Sequence, residues 1–359
     1  MHQNTFYFDA SKNEICLENC GGMNGAFDII KCTVVGIIAL LIIIGNIFCL
    51  LVLWRTKEIH LISRLFMAAL TATDLTFGFL VVLPVAVSSA YNIWPVIHDT
   101  MCHFHEAITS VLGGALTMSL LGISIDRLIA VCKPLQYPTI MTQRRALILI
   151  ITLWALPFIY RIISKWSIGL YQLQFRSDSD MCWVCTKQTG HTVYTAGVGL
   201  FMVIPCFCTF CIYARLFVIA RRHARRIAVL PNNVPQNMDG EVFNMHTKSA
   251  VTFLLITATF GICWMPFTGV WLYREITGEA TSEYLVVAAQ LTTFSSSWLD
   301  CLVYYYRSKV FKRTARKMIC KMCCCLRSSR RNTTRLPTVR TINVREAHEL
   351  DCSTTSDWK

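Results

Sequence analysis

Seven stretches, at about residues 33–54, 65–90, 103–125, 146–165, 194–219, 250–272 and 284–305, are apolar over the ~20 residues a helix needs to cross a bilayer. That repetition leaves few folds open. In hydrocarbon every backbone N–H and C=O must be bonded internally, so each run is read as a helix. The chain is read as an all-α membrane protein, a seven-transmembrane helix bundle. Composition agrees, with 54% of residues hydrophobic, 15% charged and a mean hydropathy of +0.47. A soluble chain of 359 residues would need a more charged surface.

Lys and Arg favour cytoplasmic loops near span ends. With the N-terminus outside, the inner loops hold Arg55, Lys57 and Arg64, then Arg127, Lys133, Arg144 and Arg145, then the basic residues from Arg215 to Lys248. The tail holds those from Arg307 to Lys359. The inverted topology would put nearly all of them on the wrong side. The chain therefore divides into an extracellular segment (1–32), the bundle (33–306), a short amphipathic helix (307–320) and a cytoplasmic tail (321–359) expected to be disordered. The net charge of +13 reads as juxtamembrane charge facing anionic lipid, and no nucleic-acid partner is expected. Residues 1–32 lack a basic n-region followed by an apolar h-region, so the first span is expected to direct insertion in place of a cleaved leader. Six of the eighteen cysteines, Cys49, Cys206, Cys208, Cys211, Cys263 and Cys301, fall within spans, where Cys behaves as a small apolar residue; Cys16, Cys20, Cys102, Cys182 and Cys185 lie on the outer side.

Each span also carries a residue that costs energy in lipid or bends a helix. The third runs from Cys102 to Asp126-Arg127, ~37 Å at ~1.5 Å per residue, which leaves a charge pair at its inner end. The others hold Gly45-Asn46, Asp74, Trp154, Pro205 with Tyr213, Phe260 with Cys263-Trp264-Met265-Pro266, and Asp300-Cys301-Leu302-Val303-Tyr304. An acid or arginine at membrane depth must face the bundle interior and find partners, so Asp74 and Arg127 are functional candidates. Pro205 and Pro266 each remove a backbone hydrogen bond and give points about which inner helix ends can move. Trp154 is read as packing or lipid contact. The His103-Phe104-His105-Glu106 cluster is not read as a zinc site, because residues two apart on a helix point to different sides.

In this order and spacing, over about residues 33–320, the landmarks closely resemble the rhodopsin-like (class A) G-protein-coupled receptors. The resemblance implies a multi-pass plasma-membrane receptor, not an enzyme, that binds an extracellular small-molecule ligand and activates a heterotrimeric G protein. Its only implied cofactor is a sodium ion at Asp74. It also implies an activation switch in which Asp126 holds Arg127 at rest and Tyr213 and Tyr304 swing inward. Trp264 would floor the ligand pocket, with Phe260, Pro205, Pro266, Asp74 and Asp300 carrying the rearrangement, and Leu135 would seat in the G protein beside Arg127. A disulfide from Cys102 to the second outer loop is implied, to Cys185 in preference to Cys182. An eighth helix starting at Phe311 would lie on membrane lipid, with palmitoylation at Cys320, Cys323, Cys324 or Cys325. Ser328, Ser329, Thr333, Thr334 and the cluster at 353–356 are candidate sites for receptor kinases, which would put charge where arrestin reads it.

Several positions depart from the family pattern. Asp300-Cys301 stands where Asn-Pro is usual, which removes a kink from the seventh span; Leu128 replaces a Tyr; Leu116 replaces a Ser of the sodium pocket. His246, eighteen residues before Trp264, takes the place of an acid that would bond Arg127 from the sixth span.

The Ile125-Asp126-Arg127, Cys132-Lys133-Pro134-Leu135 and Met141-Thr142-Gln143-Arg144-Arg145 segments look like those of biogenic-amine receptors. The amine-anchoring Asp of that group is Thr109 here, and a neutral hydroxyl cannot supply the ion pair an ammonium needs in a dry pocket. The pocket implied by the resemblance is Glu106, Thr109, Gly113, Gly197, Phe201, Trp264, Phe267, Thr268, Trp271, Gln290 and Phe294. A small aromatic or lipid-like ligand, neutral or weakly charged, is expected; the alternative is an amine anchored by Glu106. An anion held by Arg161 or Lys165 on the fourth span is a further alternative, but snorkelling to the headgroups is the preferred reading of those two. Phe294 at the Schiff-base place argues against a retinal opsin. The internal repeats and broken spans of a transporter or channel are missing from the pattern.

Overall fold

The computed structural model describes residues 6–9, 14–17, 25–91, 98–168, 171–176, 181–186, 195–229, 238–277 and 281–333. The first span lies in the helix Gly25–Arg55, the third in His98–Cys132, the fourth in Gln143–Ile168, the sixth in Met238–Thr277 and the seventh in Glu283–Arg307. Six helices among the described residues are long and apolar enough to cross a membrane, with mean hydropathies from 1.8 to 3.0 over their most apolar windows. The seventh has the length, 25 residues, but a more polar sequence, with Gln290, Thr292, Thr293, Ser295–Ser297 and Asp300. Gln290, Thr293, Ser296, Ser297 and Asp300 are buried, so this polarity is turned inward.

The third span is the central one: 61% of its apolar window is buried, against 17% in the fourth. The outer helices show the complementary face, with Ile44, Trp54, Ile151, Phe207 and Ile262 all exposed, as hydrocarbon-facing surface should be.

The second and fifth spans contain wide turns at the places where proline would break an α-helix. Gly78–Val82 and Gly199–Val203 are π-helical, and they precede Pro84 and Pro205. A proline ring at position i collides with the carbonyl of i−4, here Leu80 and Phe201, both inside the widened segments. Pro266, by contrast, sits within a helix that remains α-helical over Met238–Thr277. The seventh helix is likewise continuous through Cys301, as expected from the missing proline.

Two β-hairpins were not anticipated: Phe6–Asp9 with Glu14–Leu17, and Tyr171–Arg176 with Met181–Thr186 in the second outer loop. The last helix, Lys309–Thr333, begins in the compact unit that ends at Thr314 and continues in a second unit from Ala315. Its start is capped by Ser308, whose Oγ accepts the Phe311 N–H at 3.2 Å. The Phe311 ring packs 6.1 Å from that of Tyr304.

Candidate functional site

A cavity of about 180 Å³ lies between the outer halves of the third, fourth, fifth and sixth spans. It is lined by Glu106, Thr109, Gly197, Phe201, Trp264, Phe267, Thr268 and Trp271, all expected from the sequence. Gly113 lies beside it: a Cβ there would come within 2.7 Å of Met202 Cε and 3.0 Å of a Trp264 ring carbon, so the glycine lets the tryptophan approach the third span. Gln290 and Phe294 lie apart from the cavity. Gln290 is buried, and Phe294 packs edge-on against Phe77, 6.0 Å between ring centroids.

The fourth span contributes a wall that the expected lining does not include, although its Arg161 is a candidate anion anchor from sequence. Pro157, Tyr160, Arg161 and Ser164 form one wall, and Arg161 forms an ion pair with Glu106 across it, the two side chains 13% and 8% exposed. Arg161 therefore turns into the bundle instead of snorkelling outward. The rule that a charge inside a span faces the interior would have found it, since the residue lies a full helical turn inside its span's outer end. His105 lines the same region, a ring nitrogen 3.3 Å from the Val81 carbonyl oxygen. The hydroxyls of Thr109 and Thr268 donate to the carbonyls of His105 and Trp264 in their own helices, at 2.7 and 3.0 Å, and so present oxygens mainly as acceptors. Tyr160 and Phe201 pack with ring centroids 5.2 Å apart, and the aromatic surface continues through Trp264, Phe267 and Trp271.

Below the cavity, Trp264 stacks on Phe260 at 5.0 Å and its indole N–H donates to Ser296 Oγ at 3.3 Å, joining the sixth span to the seventh. Deeper still, Asp74 and Asp300 are both buried. Asn46 Nδ2 donates to the carbonyls of Ile42 and Ser297 at 2.9 and 3.1 Å, and the Cys301 thiol donates to Asn46 Oδ1 at 3.4 Å. The cysteine that replaces the usual proline thus ties the seventh span to the first.

At the inner end, Arg127 is 2% exposed and Asp126 fully buried. Arg127 Nε donates to Asp126 Oδ2 at 2.9 Å and an Nη to Ser63 Oγ at 3.1 Å, while the guanidinium sits 5.3 Å from the centre of the Phe253 ring. Asp126 Oδ1 accepts from the Tyr137 hydroxyl in the second inner loop at 2.8 Å. Tyr213 is buried beside Ser124 and Thr257, near Arg127, and Tyr304 is buried closer to Asp300 and Asp74. Leu135 is 74% exposed. Trp154, read from sequence as packing or lipid contact, donates its indole N–H to Ser119 Oγ at 2.9 Å. The side chains of Cys102, Cys182, Cys185, His103, Lys165, His246 and Cys323–Cys325 lie outside the described residues, so the expectations placed on them stand on sequence alone.

Comparison with known proteins agrees with this arrangement. Residues 45–304 match the profile of the 7 transmembrane receptor (rhodopsin family). The histamine H2 receptor of Cavia porcellus is 27% identical, over 82% of this chain and 81% of its own length. The QRFP-like peptide receptor of Branchiostoma floridae is 25% identical over 79% and 75%, and the adenosine receptor A2a of Canis lupus familiaris 25% identical over 79% and 70%. The crystal structure of squid rhodopsin superposes with a TM-score of 0.72, covering 89% of this chain and 94% of that one at 18% identity.

Proposed function

The chain belongs to the rhodopsin family of seven-transmembrane receptors, and from that premise we propose that it is a plasma-membrane receptor, N-terminus outside, for a small extracellular ligand with an aromatic part. The observation that carries this is the double role of Trp264: it lines the cavity and is also hydrogen-bonded to the seventh span. A ligand pressing on this indole acts on a contact between two mobile helices, which gives it the differential interaction with two states that any switch requires.

Heterotrimeric G protein is the inner partner. The exposed Leu135 and the Arg127 side chain, held by Asp126, supply an apolar knob and a releasable cation on the face that carries most of the basic residues. Arrestin and receptor kinases would act on the hydroxyl-rich tail, and palmitate on Cys320 or its neighbours would anchor the last helix to lipid. Asp74, Asp300 and Ser297 hold buried oxygens, with Ser297 beside the Asp74 carboxylate, a donor set that suits sodium.

The names of the relatives span an amine, a peptide and a nucleoside, so they do not choose the ligand class. The amine alternative loses support from Glu106, whose charge is already matched by Arg161. The test is the full-length receptor in cells carrying a panel of G-protein sensors, challenged with a metabolite library. A ligand response that Arg127→Ala abolishes at equal surface expression supports the proposal. Agonist binding with no G-protein response in any sensor overturns the coupling.

A further inference from the structure

The second strand of the second-outer-loop hairpin carries two cysteines, and its register separates them. Cys182 stands opposite Phe175 and Cys185 opposite Gln172. Positions along a strand alternate between faces, so residues three apart fall on opposite faces of the hairpin. One neighbouring element therefore cannot serve both. The helix His98–Cys132, which holds Cys102, comes within 8 Å of this strand, Cα to Cα. If Cys102 bonds to Cys185, then Cys182 is left on the other face, in the oxidising exterior.

A second neighbour stands beside it. The N-terminal strand Glu14–Leu17 also comes within 8 Å of Met181–Thr186, Cα to Cα, and holds Cys16 opposite Tyr7. The ~4.4–6.8 Å that a disulfide needs between its Cα atoms falls inside that separation. The two strands belong to separate sheets, so no backbone ladder joins them. The N-terminal hairpin has only four residues in each strand, and an isolated two-stranded hairpin is marginally stable in water. A covalent tie to the loop supplies what the missing ladder does not.

We propose that Cys16 and Cys182 form a second outer disulfide, which straps the N-terminal hairpin to the second outer loop and leaves Cys20 as the free thiol among the five outer cysteines. The proposal rests on the outward N-terminus argued above. The bond forms by thiol–disulfide exchange with a secretory-pathway oxidoreductase. One cysteine attacks that enzyme's disulfide, the second displaces the enzyme's sulfur, and the enzyme leaves as a dithiol holding the two electrons and two protons. With Cys102–Cys185, the strap links the third span, the loop and the N-terminal segment into one outer cover.

The test uses the full-length receptor on cells, with an epitope tag before Met1 and a protease site inserted between Gly21 and Gly22. Antibody binding to intact cells checks the outward N-terminus first, and its absence would overturn the orientation and the bridge together. After cleavage and a denaturing, non-reducing gel, the tag should stay on the wild-type and Cys20→Ser receptors and leave when dithiothreitol is added. Cys16→Ser and Cys182→Ser both keep the Cys102–Cys185 bridge, and each should release the tag without reductant. Release from the wild type without reductant, or retention by Cys16→Ser or Cys182→Ser, overturns the pairing. Non-reduced peptide mapping of the wild type needs no variant to fold. It should recover a Cys16–Cys182 peptide and a maleimide-labelled Cys20. A Cys16–Cys20 or Cys20–Cys182 link, or a free thiol at Cys182, rules the strap out.

Discussion

The Tyr137 hydroxyl donates to the Asp126 carboxylate at 2.8 Å, so the second inner loop is bonded to the same carboxylate that holds Arg127. Burial first, and then the negative charge of Asp126, push the Tyr137 phenol above its ordinary pKa, so it remains a donor throughout the physiological range. The loop and the arginine therefore compete for, and jointly fix, one acid.

Tyr137→Phe should loosen that arrangement. A hydrogen bond to a charged group contributes ~1.5–3 kcal/mol. If ~1.4 kcal/mol of it distinguishes the held from the released arginine, a small active fraction rises about tenfold. Ligand-independent nucleotide exchange should increase several-fold at equal surface expression. An unchanged or lower rate would show that the loop does not bias the arginine.

Two adjacent glycines should separate function from stability. Gly114→Ala places a Cβ 2.9 Å from the Pro157 ring and 3.4 Å from Phe201 Cβ, neither of which has room to give, so a loss of about 1–3 kcal/mol and reduced surface expression are expected. Gly113→Ala meets the flexible end of Met202 and the edge of Trp264. That variant should reach the surface yet respond to ligand with lower potency. Equal losses of expression in both variants would contradict the distinction.

Trp154→Phe removes the donor to Ser119 while leaving Ser119 bonded to the Ala115 carbonyl at 2.7 Å. The expected outcome is a loss of about 1–3 kcal/mol, seen as a lower melting temperature of the purified receptor, with G-protein coupling retained. A melting temperature equal to that of the wild type would return Trp154 to simple lipid contact.

Cys185 sits opposite Gln172, and Cys182 opposite Phe175, on the second-outer-loop hairpin. If Cys185 is the partner of Cys102, Cys185→Ser should cost several kcal/mol and abolish surface expression or ligand response, while Cys182→Ser is tolerated. Peptide mapping of the wild type should recover a Cys102–Cys185 bridge; a free thiol at Cys102 rules it out.

His246→Glu should lower ligand-independent output, because an acid near the inner end of the sixth span offers Arg127 a second carboxylate in the held arrangement. Output that stays level or rises would mean that residue 246 does not reach Arg127.

The number of spans, their order and the paired charge at Asp126-Arg127 follow from the sequence itself, because hydrocarbon imposes a length, an apolar composition and a demand for internal pairing that can be read along one dimension. The placing of Trp264 at the cavity came from the family resemblance that Cys263-Trp264-Met265-Pro266 helps to carry, not from hydropathy. Helix rotation and cross-helix pairing were not legible in the chain. A charged residue in a span can be satisfied by headgroups or by a partner in the bundle; the depth of Arg161 in its span favours the second, but nothing in the chain names the partner. Glu106 stands fifty-five positions away and meets it only because the third and fourth spans pack face to face. Trp154 likewise finds Ser119 across thirty-five positions. Gln290 and Phe294 have the spacing of pocket residues, yet the seventh helix turns one into the core and sets the other against Phe77. Hydropathy determines that a helix crosses the membrane, while packing against its neighbours decides which side chains share a cavity, and that second choice is made only in the folded bundle.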